Sequence, residues 1–181
     1  MKTSVSTTAK TKWVLDPSHS ELLFRVKHLM ISNVKGEFQK FTAEINGDDI
    51  FSSNIHVIID AGSVSTNNEQ RDAHLKSADF FDTENHKELS FSGTSFKKVD
   101  DENYLLTGML TIKGISKEVK LDVEFGGTGK DPWGNEKAGF SISGKINRKD
   151  WGLNWNAALE SGGVLVSDEV KIAGEVQFIK Q

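Results

Sequence analysis

Residues 117–125 read KEVKLDVEF, and this stretch decides the class of fold. Val119, Leu121, Val123 and Phe125 are apolar, and a charged residue separates each of them from the next. Because successive side chains of a β-strand point to opposite faces, the alternation predicts a strand with one buried and one solvated face. Several strands of this kind form an antiparallel sheet whose apolar face is turned away from water.

The same alternation recurs along the chain, with turn residues such as Gly114 between the segments. A change of register near Gln39 and Lys40 is typical of a β-bulge. Residues 67–78 are predicted to form the one helix, with Asn67 or Asn68 as its N-cap. The predicted strands are 13–15, 20–27, 34–46, 55–59, 88–98, 104–113, 116–126, 138–148 and 168–179.

About eight long strands, short turns and one helical crossover favour a closed barrel, because closure removes exposed strand edges. Strands of about 10 to 12 residues make it elongated, at roughly 3.3 Å per residue. Eight strands enclose an interior that holds either packed side chains or one small ligand. The sequence therefore predicts an all-β, elongated, eight-stranded antiparallel barrel with one short helix in a crossover. A two-sheet β-sandwich is the alternative.

Composition narrows the classes of function. The 181 residues carry a net charge of −4 without a block of like charges, which argues against a nucleic-acid-binding surface. The chain contains no cysteine, so disulfides, thiolate zinc ligands and a thiol nucleophile are excluded.

The polar beginning of the chain predicts a disordered tail over residues 1–11, which leaves 12–181 as a single barrel domain. The start lacks the apolar run of roughly 7 to 15 residues that a secretory signal needs. No stretch approaches the roughly 20 apolar residues of a membrane helix. The chain as written is therefore expected to be cytoplasmic and not an integral membrane protein. A periplasmic location is the alternative if a leader has been removed.

Three of the later strands place a glycine in their inward, apolar register, namely Gly108, Gly144 and Gly174. Glycine weakens a strand interior because it packs nothing and loses more entropy on folding. These glycines indicate either bends in a filled core or space left for a long apolar ligand. The alternation assigns the following residues to the barrel lumen as ligand contacts: Leu22, Phe24, Val26, Phe38, Leu106, Gly108, Leu110, Phe140, Ile142, Gly144, Ile146, Ile172 and Gly174.

Polar residues on the predicted helix form a second candidate site. Arg71 and His74 are three residues apart and share a face, and Asp72 lies between them. At the barrel mouth they would hold a polar or anionic head group; the alternative is that they dock the helix. Arg148, at the end of a late strand, either binds an anionic head group or anchors the loop that follows.

Signatures of catalysis and of metal binding do not stand out in the sequence. The five histidines show no HExxH or His-x-His spacing, and there is no nucleophile elbow, P-loop or dinucleotide fingerprint. Neither a catalytic residue, a metal nor a cofactor is expected. Two rival hypotheses stay open: a lipid-modifying enzyme that uses His74 and Asp72 as an acid–base pair, and a stress or partner-binding protein with a filled barrel and no ligand.

Six segments, in this order and spacing, resemble the YceI-like family of bacterial lipid-binding barrels. They are WVLDPSHSELLFRVKHLMISNVKGEF (13–38), STNNEQRDAHLKSADFFD (65–82), LSFSGTSF (89–96), LTGMLTIKGISKEV (106–119), GFSISGKINRKDWGLNWN (139–156) and LESGGVLVSDEVKI (159–172). The resemblance implies a lipocalin-like barrel that binds, carries or stores a long-chain amphiphile, such as a polyisoprenoid or isoprenoid quinone, without catalysis. It also implies a homodimer, and some members of the family are periplasmic.

Overall fold

A computed structural model describes residues 11–157 and 165–181, and most of these residues lie in strands. The predicted tail, 1–11, falls outside the described residues except for Thr11. Short 3-10 turns occur at Pro17–His19, Ala61–Ser63 and Arg148–Trp151. The elements are β1 (Lys12–Leu15), β2 (Glu21–His28), β3 (Ser32–Phe38), β4 (Phe41–Asn46), β5 (Ile55–Asp60), β6 (Val64–Ser65), α1 (Glu69–Lys76), β7 (Glu88–Lys98), β8 (Asn103–Ile112), β9 (Ile115–Lys130), β10 (Glu136–Asn147) and β11 (Val166–Lys180).

The strands close into one antiparallel barrel. The order round the barrel is β1, β4, β5, β7, β8, β9, β10 and β11, and β11 returns to β1 by pairing Phe178 with Leu15. β2 extends the strand position of β1, because both pair with β11. β3 extends the position of β4 in the same way, because β3 pairs with β2 and β4 pairs with β1. Counted as continuous strands, β1–β2 and β3–β4 bring the total to eight. The predicted eight-stranded barrel is confirmed, and the sandwich alternative is wrong.

The predicted bulge near Gln39 and Lys40 is a break between β3 and β4. The Gln39 amide donates to the Ser63 carbonyl at 3.1 Å, and the Lys40 amide donates to Ser63 Oγ at 3.0 Å. Beyond the break the two strands have different partners: β4 pairs with β5, whereas β3 pairs with the two-residue strand β6. The helix α1 follows β6, so it lies at the edge where β3 no longer continues into the barrel wall.

The helix is shorter than predicted, and its N-cap is Asn68, one of the two predicted. The Asn68 side chain accepts a hydrogen bond from the Arg71 amide at 2.9 Å. This bond satisfies one of the free amides of the first turn.

Stacked aromatic side chains fill the end of the barrel opposite the helix. The ring of Phe51 lies 4.8 Å from that of Tyr104, at an interplanar angle of 13°. Phe96 stacks with Tyr104 at 5.0 Å and lies 6.1 Å from Phe51, and Phe125 meets Phe51 edge-on at 4.9 Å. Phe140 packs against Phe125 at 5.3 Å. Aromatic pairs at these separations are favourable beyond the area they bury, so this end is closed.

The inward glycines do not leave empty space, which corrects the interpretation of Gly108, Gly144 and Gly174 as cavity positions. A Cβ at Gly108 would collide with the Phe91 ring and lie 2.5 Å from the Ser92 carbonyl oxygen. A Cβ at Gly144 would lie 2.6 Å from Leu121 Cδ2, and one at Gly174 would lie 3.3 Å from the Glu21 carbonyl oxygen. Neighbouring groups occupy the space that each missing side chain leaves. Glycine here permits close packing within the wall.

Gly108→Ala is expected to destabilise the barrel by about 3 kcal/mol, because overpacking against a fixed backbone oxygen forces the strands apart. Gly139→Ala is the matched control on β10, since the nearest atom to its Cβ is the Val176 carbonyl oxygen at 4.0 Å. The control is expected to change the free energy of unfolding by less than about 1 kcal/mol. Urea unfolding measures both variants. Equal stability of the two would contradict the close-packing interpretation.

Candidate functional site

The barrel encloses a cavity of about 540 Å³. Pockets of this size, mostly apolar with a few polar groups, are typical of small-molecule sites. Nine of the residues assigned to the lumen from the alternation line the cavity: Leu22, Phe24, Val26, Phe38, Leu106, Leu110, Ile142, Ile146 and Ile172. The cavity argues against the filled-barrel hypothesis.

Four residues of the predicted lumen set do not line the cavity. Gly108, Gly144 and Gly174 are covered by their neighbours. Phe140 belongs to the aromatic cluster at the closed end and lines a small space of about 30 Å³ there. The Phe140 side chain points into the barrel, as predicted, but at a level that the other aromatic rings of the cluster already fill.

Other parts of the cavity wall were missed by the sequence analysis. Val57 and Ile59 on β5 belong to an alternating strand that was recognised but not assigned to the lumen. Leu75 on α1 and the adjacent Phe80 and Phe81 come from outside the strands. The apolar pair in Ala78-Asp79-Phe80-Phe81-Asp82 was the available signal for them, since it stands between polar residues next to the helix.

Buried Thr66 fastens the helix beside the cavity. The amide and the hydroxyl of Thr66 both donate to Asp72 Oδ1, at 2.8 and 2.6 Å. Arg71 Nε donates to Thr66 Oγ1 at 2.7 Å, and Nη2 donates to the Thr66 carbonyl at 2.9 Å. In the described part of the chain Nη1 of Arg71 has no hydrogen-bond partner. Arg71 therefore docks the helix, and its side chain also lines the cavity.

His74 does not pair with Asp72, so the proposed acid–base pair is wrong. The Asp72 carboxylate is engaged by Thr66, whereas His74 Nε2 lies 2.9 Å from Asp79 Oδ2. The His74 ring meets Trp155 edge-on at 4.6 Å and Phe80 at 5.1 Å. His74 thus joins the helix to the residues after β10, and it lines the cavity.

Arg148 is buried, with 3% of its surface exposed, and it holds the loop between β10 and β11. Nη1 donates to the carbonyls of Leu153 and Trp155 at 2.6 and 2.8 Å. Nε donates to the Ser167 carbonyl at 2.9 Å, and Nη2 donates to the Val166 carbonyl at 3.3 Å. Burial lowers the pKa of the guanidinium, and Asp168 opposes this shift. Of the two predicted roles, head-group binding and loop anchoring, these hydrogen bonds support loop anchoring for Arg148. Its side chain also lines the cavity.

The polar side chains of the cavity gather at the helix end. Arg71, Asn68 and Gln70 are exposed there, so the cavity reaches the surface beside α1. The charged and titratable residues that line the cavity are all basic: Lys27, His28, Arg71, His74 and Arg148. No Asp or Glu of the described residues lines it. In a protein with a net charge of −4, this concentration of basic groups makes the mouth attractive to an anion.

A separate polar cluster lies at the junction of β1 and β2. Buried Asp16 accepts hydrogen bonds from the Ser18 hydroxyl at 2.7 Å and from Lys137 Nζ at 3.1 Å. His19 Nδ1 lies 2.9 Å from Asp16 and 3.1 Å from Ser18 Oγ. A proton relay would need the two ring nitrogens to face different partners, but here one nitrogen faces both. The cluster is therefore not a catalytic triad.

Stability is expected to fall as pH drops from about 5, through protonation of Asp16. Hydrogen bonds from Ser18, then His19 and Lys137, hold the pKa of Asp16 well below its usual range. Its contribution is therefore complete above the unfolded carboxyl pKa of about 3.9 and is lost as pH falls toward the lower folded pKa. Asp16→Asn should cost about 2 kcal/mol at pH 7 and flatten the dependence below pH 5.

Thermal unfolding between pH 3 and pH 7 measures this effect. Asp101→Asn, at an exposed site in the β7–β8 turn, is the matched control and should stay within about 0.5 kcal/mol of the parent protein. If the unfolding temperature of Asp16→Asn falls with pH as steeply as that of the parent protein, groups other than Asp16 cause the acid sensitivity.

Within residues 11–157 and 165–181, no group of three or more His, Cys, Asp or Glu side chains is placed to hold a metal ion. Among the same residues no helix has the length and apolar character needed to cross a membrane.

A closed eight-stranded barrel around an apolar cavity, with its polar groups at one mouth, defines the class of lipocalin-like barrels. The family model of the YceI-like domain matches residues 13–178, and the chain belongs to this family. A UPF0312 protein of Staphylococcus epidermidis is 43% identical over 171 residues, which cover 93% of this chain and 97% of the relative.

Solved structures share the fold. The Campylobacter jejuni YceI protein matches with a TM-score of 0.71 and 38% identity, over 84% of this chain and 88% of that chain. A domain of Saccharophagus degradans matches with a TM-score of 0.65 and 16% identity, over 92% and 97% of the two chains. That domain is described as polyisoprenoid-binding and as implicated in plant cell wall breakdown.

Proposed function

We propose that this protein binds one long-chain amphiphile, with the hydrocarbon in the barrel and the head group beside α1, and that it acts as a carrier or store. The observation that carries the proposal is the apolar cavity whose polar residues lie at one end. Burial of the hydrocarbon drives binding, at about 25 cal/mol for each Å² of apolar surface removed from water. Nothing in this arrangement calls for a chemical step on the ligand.

A polyisoprenoid chain is the ligand class that we favour. The YceI-like family and the polyisoprenoid-binding domain of Saccharophagus degradans support this choice. The cavity wall is built of branched and aromatic side chains, which suit a branched hydrocarbon without selecting its length strictly. An apolar channel separates ligands by only about 1 to 3 kcal/mol per methylene group.

The head group is proposed to be anionic. The charged and titratable cavity residues are basic, and Nη1 of Arg71 is free to donate among the described residues. A phosphate or carboxylate next to a guanidinium forms charge-assisted hydrogen bonds, which are roughly twice as strong as neutral ones. A neutral quinone or alcohol would use the same cavity with weaker contacts at the mouth.

Native mass spectrometry of the freshly purified protein, with organic extraction and lipid identification, tests the proposal. A stoichiometric long-chain lipid is the expected result. The protein is also incubated with geranylgeranyl monophosphate and with geranylgeraniol, which share a tail and differ in the charge of the head. The phosphate should bind at least roughly tenfold more tightly, and Arg71→Gln should reduce this preference. A protein that stays free of ligand in every case would refute the proposed function.

A further inference from the structure

The tip of the β2–β3 hairpin carries three exposed apolar side chains beside the mouth of the cavity. Leu29, Met30 and Ile31 are 38%, 54% and 84% exposed. The preceding residues, Lys27 and His28, line the cavity, so the tip stands next to its opening. A group of large exposed apolar residues at one point of a surface marks an interaction site more often than scattered single ones do.

The backbone of this tip is not the one that such residues favour. The Ile31 amide donates to the His28 carbonyl at 3.2 Å, and Leu29 and Met30 have positive φ angles of 55° and 60°. Positive φ at both central residues is the signature of a type I′ turn, where Asn-Gly is preferred. Large side chains are disfavoured there, because a positive φ brings the Cβ close to the following carbonyl oxygen. Stability alone does not account for their presence.

A row of positive charges crosses the outer wall of the same part of the barrel. The strand register places Lys35 opposite Arg25, Arg25 opposite Lys171, and Lys171 opposite Lys145. All four are exposed, and within the described residues none lies within ion-pair distance of a carboxylate. We call these four residues the basic row. Like charges directly opposite one another destabilise a sheet, so the row also needs an explanation other than folding.

The basic row lies close enough to the tip to act with it. Arg25 is four residues from Leu29, roughly 13 Å along an extended strand, and Lys27 lies between them. Glu37 and Glu169 are the nearest carboxylates by register, each two residues along its strand from a member of the row. The wall therefore combines apolar residues at the tip with net positive charge behind it.

We propose that the tip and the basic row dock the mouth of the cavity on an anionic lipid bilayer. The three apolar side chains enter the interfacial region, and the cations contact acidic head groups near the surface. The opposite end of the barrel fits this partner poorly, because its exposed Val99 is followed by Asp100, Asp101 and Glu102. Docking concerns an outer surface and does not require a ligand in the cavity.

Co-sedimentation with vesicles tests the docking. The full chain should bind vesicles of equal parts phosphatidylglycerol and phosphatidylcholine, bind pure phosphatidylcholine at least roughly tenfold more weakly, and dissociate as salt rises. The tip variant Leu29→Asn/Met30→Gly/Ile31→Thr restores favoured turn residues, so it should fold at least as well as the parent. Its binding to the anionic vesicles should fall at least roughly tenfold.

The matched control for the tip is Trp133→Thr, which removes an equally exposed apolar residue, 83% exposed, from the β9–β10 turn. It should leave vesicle binding unchanged. A second variant, with Gln in place of each member of the basic row, should bind anionic vesicles no better than neutral ones.

Three outcomes would overturn the proposal. The first is failure of the parent protein to bind anionic vesicles, and the second is unchanged binding by the tip variant. The third is loss of a homodimer on changing the tip, seen by sedimentation velocity, because a second copy of the chain would then be the partner. The vesicles contain no isoprenoid, so each of these outcomes leaves the proposed ligand untouched.

Discussion

Ile172→Trp is expected to weaken the binding of geranylgeranyl monophosphate roughly 30-fold, or about 2 kcal/mol. Ile172 lines the cavity, and its neighbours in the sheet are Phe24 on β2 and Gly144 on β10. The larger indole would extend into the space that the hydrocarbon needs and would displace part of the buried contact area. Native mass spectrometry across a ligand titration measures the change.

The matched control is Ala173→Trp, one residue further along the same strand. Ala173 is exposed on the outer face, so the same indole is added where it does not reach the cavity. Binding should be unchanged in this variant. If Ile172→Trp folds, with an unchanged midpoint of urea unfolding, and still binds like the parent, the cavity is not the ligand site.

Arg148→Met is expected to lower the free energy of unfolding by about 4 kcal/mol, because it leaves buried carbonyl groups without donors. In the parent protein one guanidinium serves the carbonyls of Leu153, Trp155, Val166 and Ser167. Methionine fills much of the same volume but donates no hydrogen bond. The two segments on either side of the β10–β11 connection would lose their common anchor.

Arg148→Lys keeps the positive charge, so it tests whether the planar geometry of the guanidinium is what anchors the loop. An ammonium group cannot reproduce the planar arrangement of donors, so it should recover less than half of the lost stability. The neighbouring Lys149 is about half exposed and lies 3.4 Å from Asp168. Lys149→Met, the control, should cost less than about 1 kcal/mol, as exposed ion pairs do. Urea unfolding measures the stability of the three variants. If Arg148→Met loses as little free energy of unfolding as the control Lys149→Met, the anchoring role of Arg148 is contradicted.

Much of the cavity wall could be predicted from alternation, because side-chain direction on a strand is a local property. Phe24 and Val26 line the cavity for this reason. Alternation gives the face but not the level along the barrel, which is why Phe140 was assigned to the lumen although it lies in the closed end. It also does not show what occupies the space beside a glycine. The Phe91 ring covers Gly108 from the neighbouring strand.

The sequence by itself indicated an all-β fold with a closed barrel favoured over a sandwich, a helix capped by Asn67 or Asn68, and one apolar face on each long strand. These properties depend on residues within a few positions of one another. Only the tertiary structure decided which groups meet: Asp72 with Thr66, Arg148 with four carbonyls, and Lys35, Arg25, Lys171 and Lys145 in one row. The physical reason is register, since the pairing of distant strands brings together side chains that no local pattern connects.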